Sequence, residues 1–151
     1  MQRIKKQFDR TYLDFNQFTE IFSQDNLISV CSGNWINQYI LNGSFQVRDV
    51  HKLNYFKNII NKICENENLQ GKNLDAHLFL NFIQGANSII HRDNYDVYLY
   101  GLYGETMYII NKEKYILNVG DLLKINNSEI HQEIGLTPRI VLSVADNNKA
   151  R

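Results

Sequence analysis

Cysteine is scarce here. The chain has only Cys31 and Cys64, too few for a disulfide framework. Cys31 sits in a strand-like run and Cys64 on a helical one, so both read as small buried thiols of a reducing compartment. Net charge is also lacking, because Lys+Arg 16 balances Asp+Glu 16. That removes the electrostatic reason to expect nucleic acid or an anionic membrane as a partner. No run approaches the ~18 apolar residues of a membrane span. Met1-Gln2-Arg3-Ile4-Lys5-Lys6 is not followed by the apolar core of a signal peptide. The expectation is a soluble, cytoplasmic protein. There is no internal repeat, low-complexity tract or linker. With 151 residues, 44% of them hydrophobic, the chain suits one domain, 1–151, around one core.

The first 73 residues mix helix and strand signals. Phe8, Tyr12, Phe15, Phe18 and Phe22 recur in steps of three and four, predicting one helix or two short ones with an apolar stripe. Leu27 to Cys31 reads as a strand, and Ser32-Gly33-Asn34 as a turn. Trp35 to Leu41 and Phe45 to Val50 flank Asn42-Gly43, a two-residue hairpin signal. Leu53, Phe56, Ile59, Ile60, Ile63 and Cys64 predict a helix over 53–67. Residues 66–73 are polar and read as a loop.

From Leu74 the texture is short strands. Ala76, Leu78, Leu80 and Phe82 alternate with His77, Phe79, Asn81 and Ile83. Further strands are predicted over 97–100, 107–110, 114–117, 121–125 and 139–144, punctuated by Gly101, Gly104, Asn111, Gly120 and Asn126-Asn127. Closely spaced strands without intervening helices imply an antiparallel barrel or sandwich.

Three residues in this region read as ligands of one metal: His91, Asp93 and His131. Residues i and i+2 of an extended chain point the same way, so His91 and Asp93 can share an ion. Two imidazoles and one carboxylate leave about three of six octahedral positions open, which suits Fe(II) binding a co-substrate and O2 together.

The surrounding residues carry a resemblance. Gly120 to His131 reads Gly-x5-Asn-x-Ser-x2-His, similar to the second cupin motif, with Asn126 and Ser128 in place of its proline and glycine. His91-Arg92-Asp93-Asn94-Tyr95-Asp96-Val97-Tyr98 with Gly104, and Gly120-Asp121-Leu122-Leu123, resemble the JmjC-like 2-oxoglutarate oxygenases, the ribosomal-protein hydroxylases in particular. The resemblance covers about half the chain and none of residues 1–73. It implies an all-β core with flanking helices, a cupin-like double-stranded β-helix (jelly roll). Residues 74–145 would be the metal-binding core and 1–73 its support. It also implies an Fe(II)- and 2-oxoglutarate-dependent dioxygenase using O2, which hydroxylates an amino-acid side chain or a small metabolite. Related oxygenases often form homodimers.

One departure matters. The family usually carries a Lys or Arg after the glycine turn to bind the far carboxylate of 2-oxoglutarate, and here that position is Thr106. Prolyl hydroxylases and related enzymes place an arginine at the start of a later strand, with a Ser or Thr further along. Arg139 and Ser143 match that arrangement. Alternation would put Arg139, Val141 and Ser143 on one face, and a guanidinium meets a carboxylate with two hydrogen bonds. Lys124 is a weaker anchor candidate, and Ser88 and Thr106 could add hydrogen bonds. His77 reads as a core histidine satisfied by a hydrogen bond, His51 as a loop residue and Trp35 as core. Asn81, Tyr98 or Tyr100 could face the cavity. Two competing readings stay open: a metal-binding cupin of another kind (a 2-oxoglutarate-independent dioxygenase or an isomerase), and a non-catalytic binding module.

Overall fold

The computed structural model describes residues 2–22, 44–69, 73–86 and 88–146. The predicted strand at Leu27–Cys31, Trp35 to Leu41 and the Asn42-Gly43 turn lie outside the described residues. Among the described residues there are ten strands and two α-helices: β1 (Ile4–Lys5), α1 (Phe15–Phe22), β2 (Ser44–Val47), α2 (Asn54–Glu67), β3 (Leu74–Asn81), β4 (Gly85–Ala86), β5 (Asp96–Tyr103), β6 (Thr106–Ile110), β7 (Glu113–Leu117), β8 (Leu122–Ile125), β9 (His131–Gly135) and β10 (Arg139–Asp146). No helix among the described residues is long and apolar enough to cross a membrane.

The strands form two sheets, β1-β8-β5-β10-β3-β2 and β4-β9-β6-β7. The pairing is nested about the β6–β7 hairpin. β6 pairs with β7, β5 with β8, β4 with β9 and β3 with β10, all antiparallel. A long hairpin has been rolled up so that its two arms alternate between the sheets. This is the predicted jelly roll, a double-stranded β-helix. At its tip Asn111 (φ 49°) and Lys112 (φ 73°) make the two-residue turn that suits a twisted hairpin.

The larger sheet is covered on both faces. Ala76, Leu78, Leu80, Leu142 and Val144 pack outward with Phe56, Ile59, Ile60 and Ile63 of α2. Val97, Leu99, Leu123, Ile125 and Val141 face inward, with Tyr108, Ile110 and Leu117 of the smaller sheet. That is why all eight residues of β10 are buried. α2 ends where predicted, at Asn68 in the left-handed region, whose neighbour Leu69 donates to the Cys64 carbonyl oxygen (2.9 Å). Cys64 is a free, half-buried thiol at the edge of this core, and burial raises its pKa.

The aromatic stripe from Phe8 to Phe22 is helical only from Phe15. Asp14 and Gln17 exchange backbone-to-side-chain hydrogen bonds (2.8 and 3.1 Å), a capping box that starts the helix there. Before it, side chains of α2 and β5 take the carbonyl oxygens that a helix would use. Lys62 donates to Phe8 O (2.8 Å), Tyr100 to Thr11 O (2.9 Å) and Tyr55 to Tyr12 O (2.6 Å). Residues 8–14 are therefore a strap along α2 and the outward face of the larger sheet.

The N-terminal segment also secures two turns. Asp121 accepts from the backbone N–H groups of Gln7 (2.9 Å) and Asn118 (3.1 Å) and from Lys6 Nζ (2.8 Å). Arg3 pairs through both terminal nitrogens with Glu129, which also accepts from Asn126 N (2.8 Å). These bonds hold the Glu129 carboxyl below its usual pKa, the Arg3 hydrogen bond foremost. A carboxylate with a depressed pKa stabilises the fold above its ordinary pKa, and the effect is lost as pH falls through the lowered value. Arg3→Ala is expected to cost about 1–2 kcal/mol at neutral pH, read from urea denaturation. The difference from wild type should shrink as pH falls below the ordinary glutamate range.

Candidate metal centre

The nested pairing explains how His91 and His131, forty residues apart, meet. β4 pairs with β9, and just past β4 a further bridge joins His91 to His131. Each donates its N–H to the other's carbonyl oxygen (3.0 and 2.9 Å). The imidazole centroids lie 4.2 Å apart. Asp93 is held by a bond from Ser128 N to its carbonyl oxygen (2.8 Å). Its Oδ2 stands 3.5 Å from His131 Nε2. One ligand atom from each of His91, Asp93 and His131 lies within 4.8 Å of the others.

Both rings are oriented for coordination. His91 Nδ1 lies 2.8 Å from Ile89 O, and His131 Nδ1 lies 3.0 Å from Glu129 O. A carbonyl oxygen only accepts, so each Nδ1 carries a proton, which leaves Nε2 as the ring nitrogen turned towards a metal. Outer hydrogen bonds of this kind fix the tautomer of metal-ligating histidines. The donor set is two imidazole nitrogens and one carboxyl oxygen, and it fits a divalent metal of the iron, manganese or cobalt type.

The triad opens into a cavity of about 410 Å³, also lined by Gln46, Asp75, His77 and Phe79 on one side, Val97, Leu99 and Ile125 on another, and Ser88, Tyr108, Glu133 and Ser143. That volume is in the range of small-ligand sites. His77 Nδ1 accepts from Asp49 N (3.3 Å), and burial lowers its pKa, so it is the satisfied neutral histidine expected, though it also faces the cavity.

The remaining predicted residues divide. Ser143 and Ser88 line the cavity, with the Ser88 hydroxyl accepting from Glu133 N (3.1 Å). Lys124 does not. It projects from the outer side of β8, 3.8 Å from Asp96 and over the Tyr98 ring. Tyr98 and Tyr100 belong to the outer core against α2, because β5 turns its odd positions inward. Thr106 and Asn81 are buried but do not border the cavity. His51 lies in a short 3₁₀ turn, Val50–Lys52.

Arg139 is the main surprise. It sits on the inner face with Val141 and Ser143, as alternation required, but does not reach the cavity wall. Its side chain has 0% exposure. Nε donates to Glu133 Oε1 (3.1 Å), and Nη1 donates to the carbonyl oxygens of Ile83 (2.7 Å) and Thr137 (3.2 Å). Nη2 has no partner among the described residues. The guanidinium lies against Gly135, where a Cβ would stand 2.0 Å from Nη1 and 2.2 Å from Cζ. Thr106 pairs with Gly135 across the sheet. A small residue and a glycine therefore make room for the cation at the level where the resemblance expected one on Thr106 itself. Glu133 and Gly135 were missed by sequence reasoning. His131-Gln132-Glu133-Ile134-Gly135 lacks an apolar alternation, so β9 gave no strand signal; the i+2 and i+4 steps from His131 were the cue that could have found them.

No family model and no curated protein matches the chain. Solved structures do. The ribosomal oxygenase YcfD of Escherichia coli, in complex with cobalt and succinic acid, superposes with TM-score 0.59 at 19% identity, over 68% of this chain and 31% of that one. The same protein with cobalt and 2-oxoglutarate gives 0.58. A conserved protein of unknown function from Streptococcus pyogenes gives 0.51 at 13% identity, over 70% of this chain and 75% of that one. Salicylate 1,2-dioxygenase of Pseudoaminobacter salicylatoxidans gives 0.51 at 12% identity, over 69% and 25%. These likenesses show the fold. The chain is a cupin-type double-stranded β-helix, a fold that also carries oxygenases, and it spans under a third of the length of the ribosomal oxygenase.

Two outcomes follow. Mn(II) at about 100 times its dissociation constant should stabilise the protein by about 2.7 kcal/mol, seen as a rise in melting temperature that Asp93→Ala abolishes. Gly135→Ala should destabilise the fold by about 2–4 kcal/mol in urea denaturation, because the methyl group drives the guanidinium off its partners.

Proposed function

We propose that this protein is an Fe(II)- and 2-oxoglutarate-dependent dioxygenase that hydroxylates an amino-acid side chain or a small metabolite. The observation that carries the reading is the triad itself, with His91 and His131 presenting Nε2 and Asp93 a carboxylate oxygen at the mouth of a small-molecule-sized cavity. Two nitrogens and one oxygen on one side of an ion leave positions for a co-substrate and O2. When bound, Fe(II) with 2-oxoglutarate supplies the activation of O2 for attack on a C–H bond.

The chain's own residues hold, orient and exclude water. His91, Asp93 and His131 hold the metal. Arg139 is the cation for the far carboxylate, and its unpaired Nη2 is the donor such a group would meet. Ser143 and Ser88 supply hydroxyls on the cavity wall. Val97, Leu99 and Ile125 keep the interior dry, which strengthens each polar contact made there. Tyr108 stays a neutral phenol, its pKa pushed well up by burial and by Glu133. The substrate is a small molecule or a peptidyl side chain, and a homodimer is the assembly proposed.

A second reading, a metal-dependent cupin enzyme that does not use 2-oxoglutarate, is favoured by one observation. Arg139 is already paired with Glu133, and no lysine or arginine lines the cavity among the described residues. One experiment separates the two. Fe(II) and then 2-oxoglutarate are added without oxygen. A visible charge-transfer band is expected, and Arg139→Ala should weaken 2-oxoglutarate by about a hundredfold while the fold, checked by circular dichroism, persists. Fe(II) binding with no band would leave the second reading standing.

A further inference from the structure

We propose that Glu133 is a specificity-determining residue of the cavity, an internal carboxylate that competes with the far carboxylate of 2-oxoglutarate for Arg139. This rests on the 2-oxoglutarate reading above. Glu133 stands two residues beyond His131 on β9, so both side chains face inward and Glu133 lies about 6.6 Å further along the strand. It borders the cavity, with its side chain 19% exposed, while Arg139 behind it has none. A carboxylate of the protein thus stands between the metal triad and the buried cation.

The hold of Glu133 on that cation is partial. A guanidinium meets a carboxylate best through two parallel N–H donors. Glu133 Oε1 takes Nε at 3.1 Å, and the adjoining Nη2 is buried without a partner. Nη1 is turned away onto two carbonyl oxygens. An incoming carboxylate that takes Nε and Nη2 together makes one hydrogen bond more than Glu133 does, and Glu133 can swing into the cavity as it is displaced. A neutral or monoanionic ligand without a second carboxylate gains nothing from that exchange. The pair therefore keeps the buried cation neutralised when the cavity is empty and favours dicarboxylates over monocarboxylates when it fills.

Glu133→Gln tests this, because it keeps the shape and removes the competing charge. With Mn(II)-loaded protein in calorimetry and Fe(II)-loaded protein without oxygen, the variant should bind 2-oxoglutarate at least about tenfold tighter than wild type. The gain should vanish when Arg139→Lys is added. Metal-free Glu133→Gln should also melt lower than wild type, and 2-oxoglutarate should raise its melting temperature by more. A band that appears only in the variant supports the proposal in its strongest form. Equal affinity in wild type and Glu133→Gln overturns it and leaves the 2-oxoglutarate reading intact. Binding of metal but of no 2-oxoglutarate in either protein overturns both. If Glu133→Gln does not fold, Glu133→Asp, one methylene short of Arg139, must show the same tightening, and unchanged affinity there overturns the proposal.

Discussion

The mutual backbone bonds between His91 and His131 are the constraint on which the candidate centre depends. They form a separate bridge beyond the β4–β9 ladder, two residues out of its register, and tie the His91 segment to the start of β9. A slip of one residue would turn His131 and Glu133 outward together. Register here decides chemistry as well as packing. The supports lie outside the bridge. The 126–129 turn is held by Glu129, and Glu129 by Arg3, more than a hundred residues earlier in the chain. The backbone oxygen of that same Glu129 fixes the His131 tautomer.

A second constraint is the burial of Arg139. A cation with no exposed side-chain surface is costly unless paired and hydrogen-bonded. The fold meets that cost with one carboxylate, two carbonyl oxygens and the absence of a side chain at Gly135. One donor is left over. Native interiors leave few such groups, and each calls for a reason. Under the proposed function, a ligand carboxylate supplies that reason.

The two faces of the larger sheet divide the labour. Its outward side chains pack on α2 and account for most of the aliphatic core. Its inward side chains are apolar at Val97, Leu99 and Ile125 and polar at Asp75, His77 and Ser143. Strong outward packing lets the inner face give up apolar contacts to a cavity. The strap of residues 8–14 lies on that same outward side, with Leu13 in the core against α2.

Much of this was legible in the residues. Alternation in 76–83 and 139–144, the 3.6-residue period of α2 and the turn residues between short strands are local signals, and local backbone preference is enough to read them. His91-x-Asp93 and the spacing to His131 pointed to the triad because i and i+2 share a face. Other features are set only by the closed fold. The aromatic spacing at Phe8 and Tyr12 imitates a helix, but side chains of α2 and β5 claim the carbonyl oxygens there. Tyr98 and Lys124 fit a cavity as well as a surface until the parity of β5 and β8 against the barrel is known. Glu133 and Gly135 lie only six and four residues before Arg139, yet strand alternation alone does not turn them towards it. Glu133 and Gly135 come to it only because β9 and β10 belong to opposite sheets of one roll, and that proximity is a property of the closed barrel.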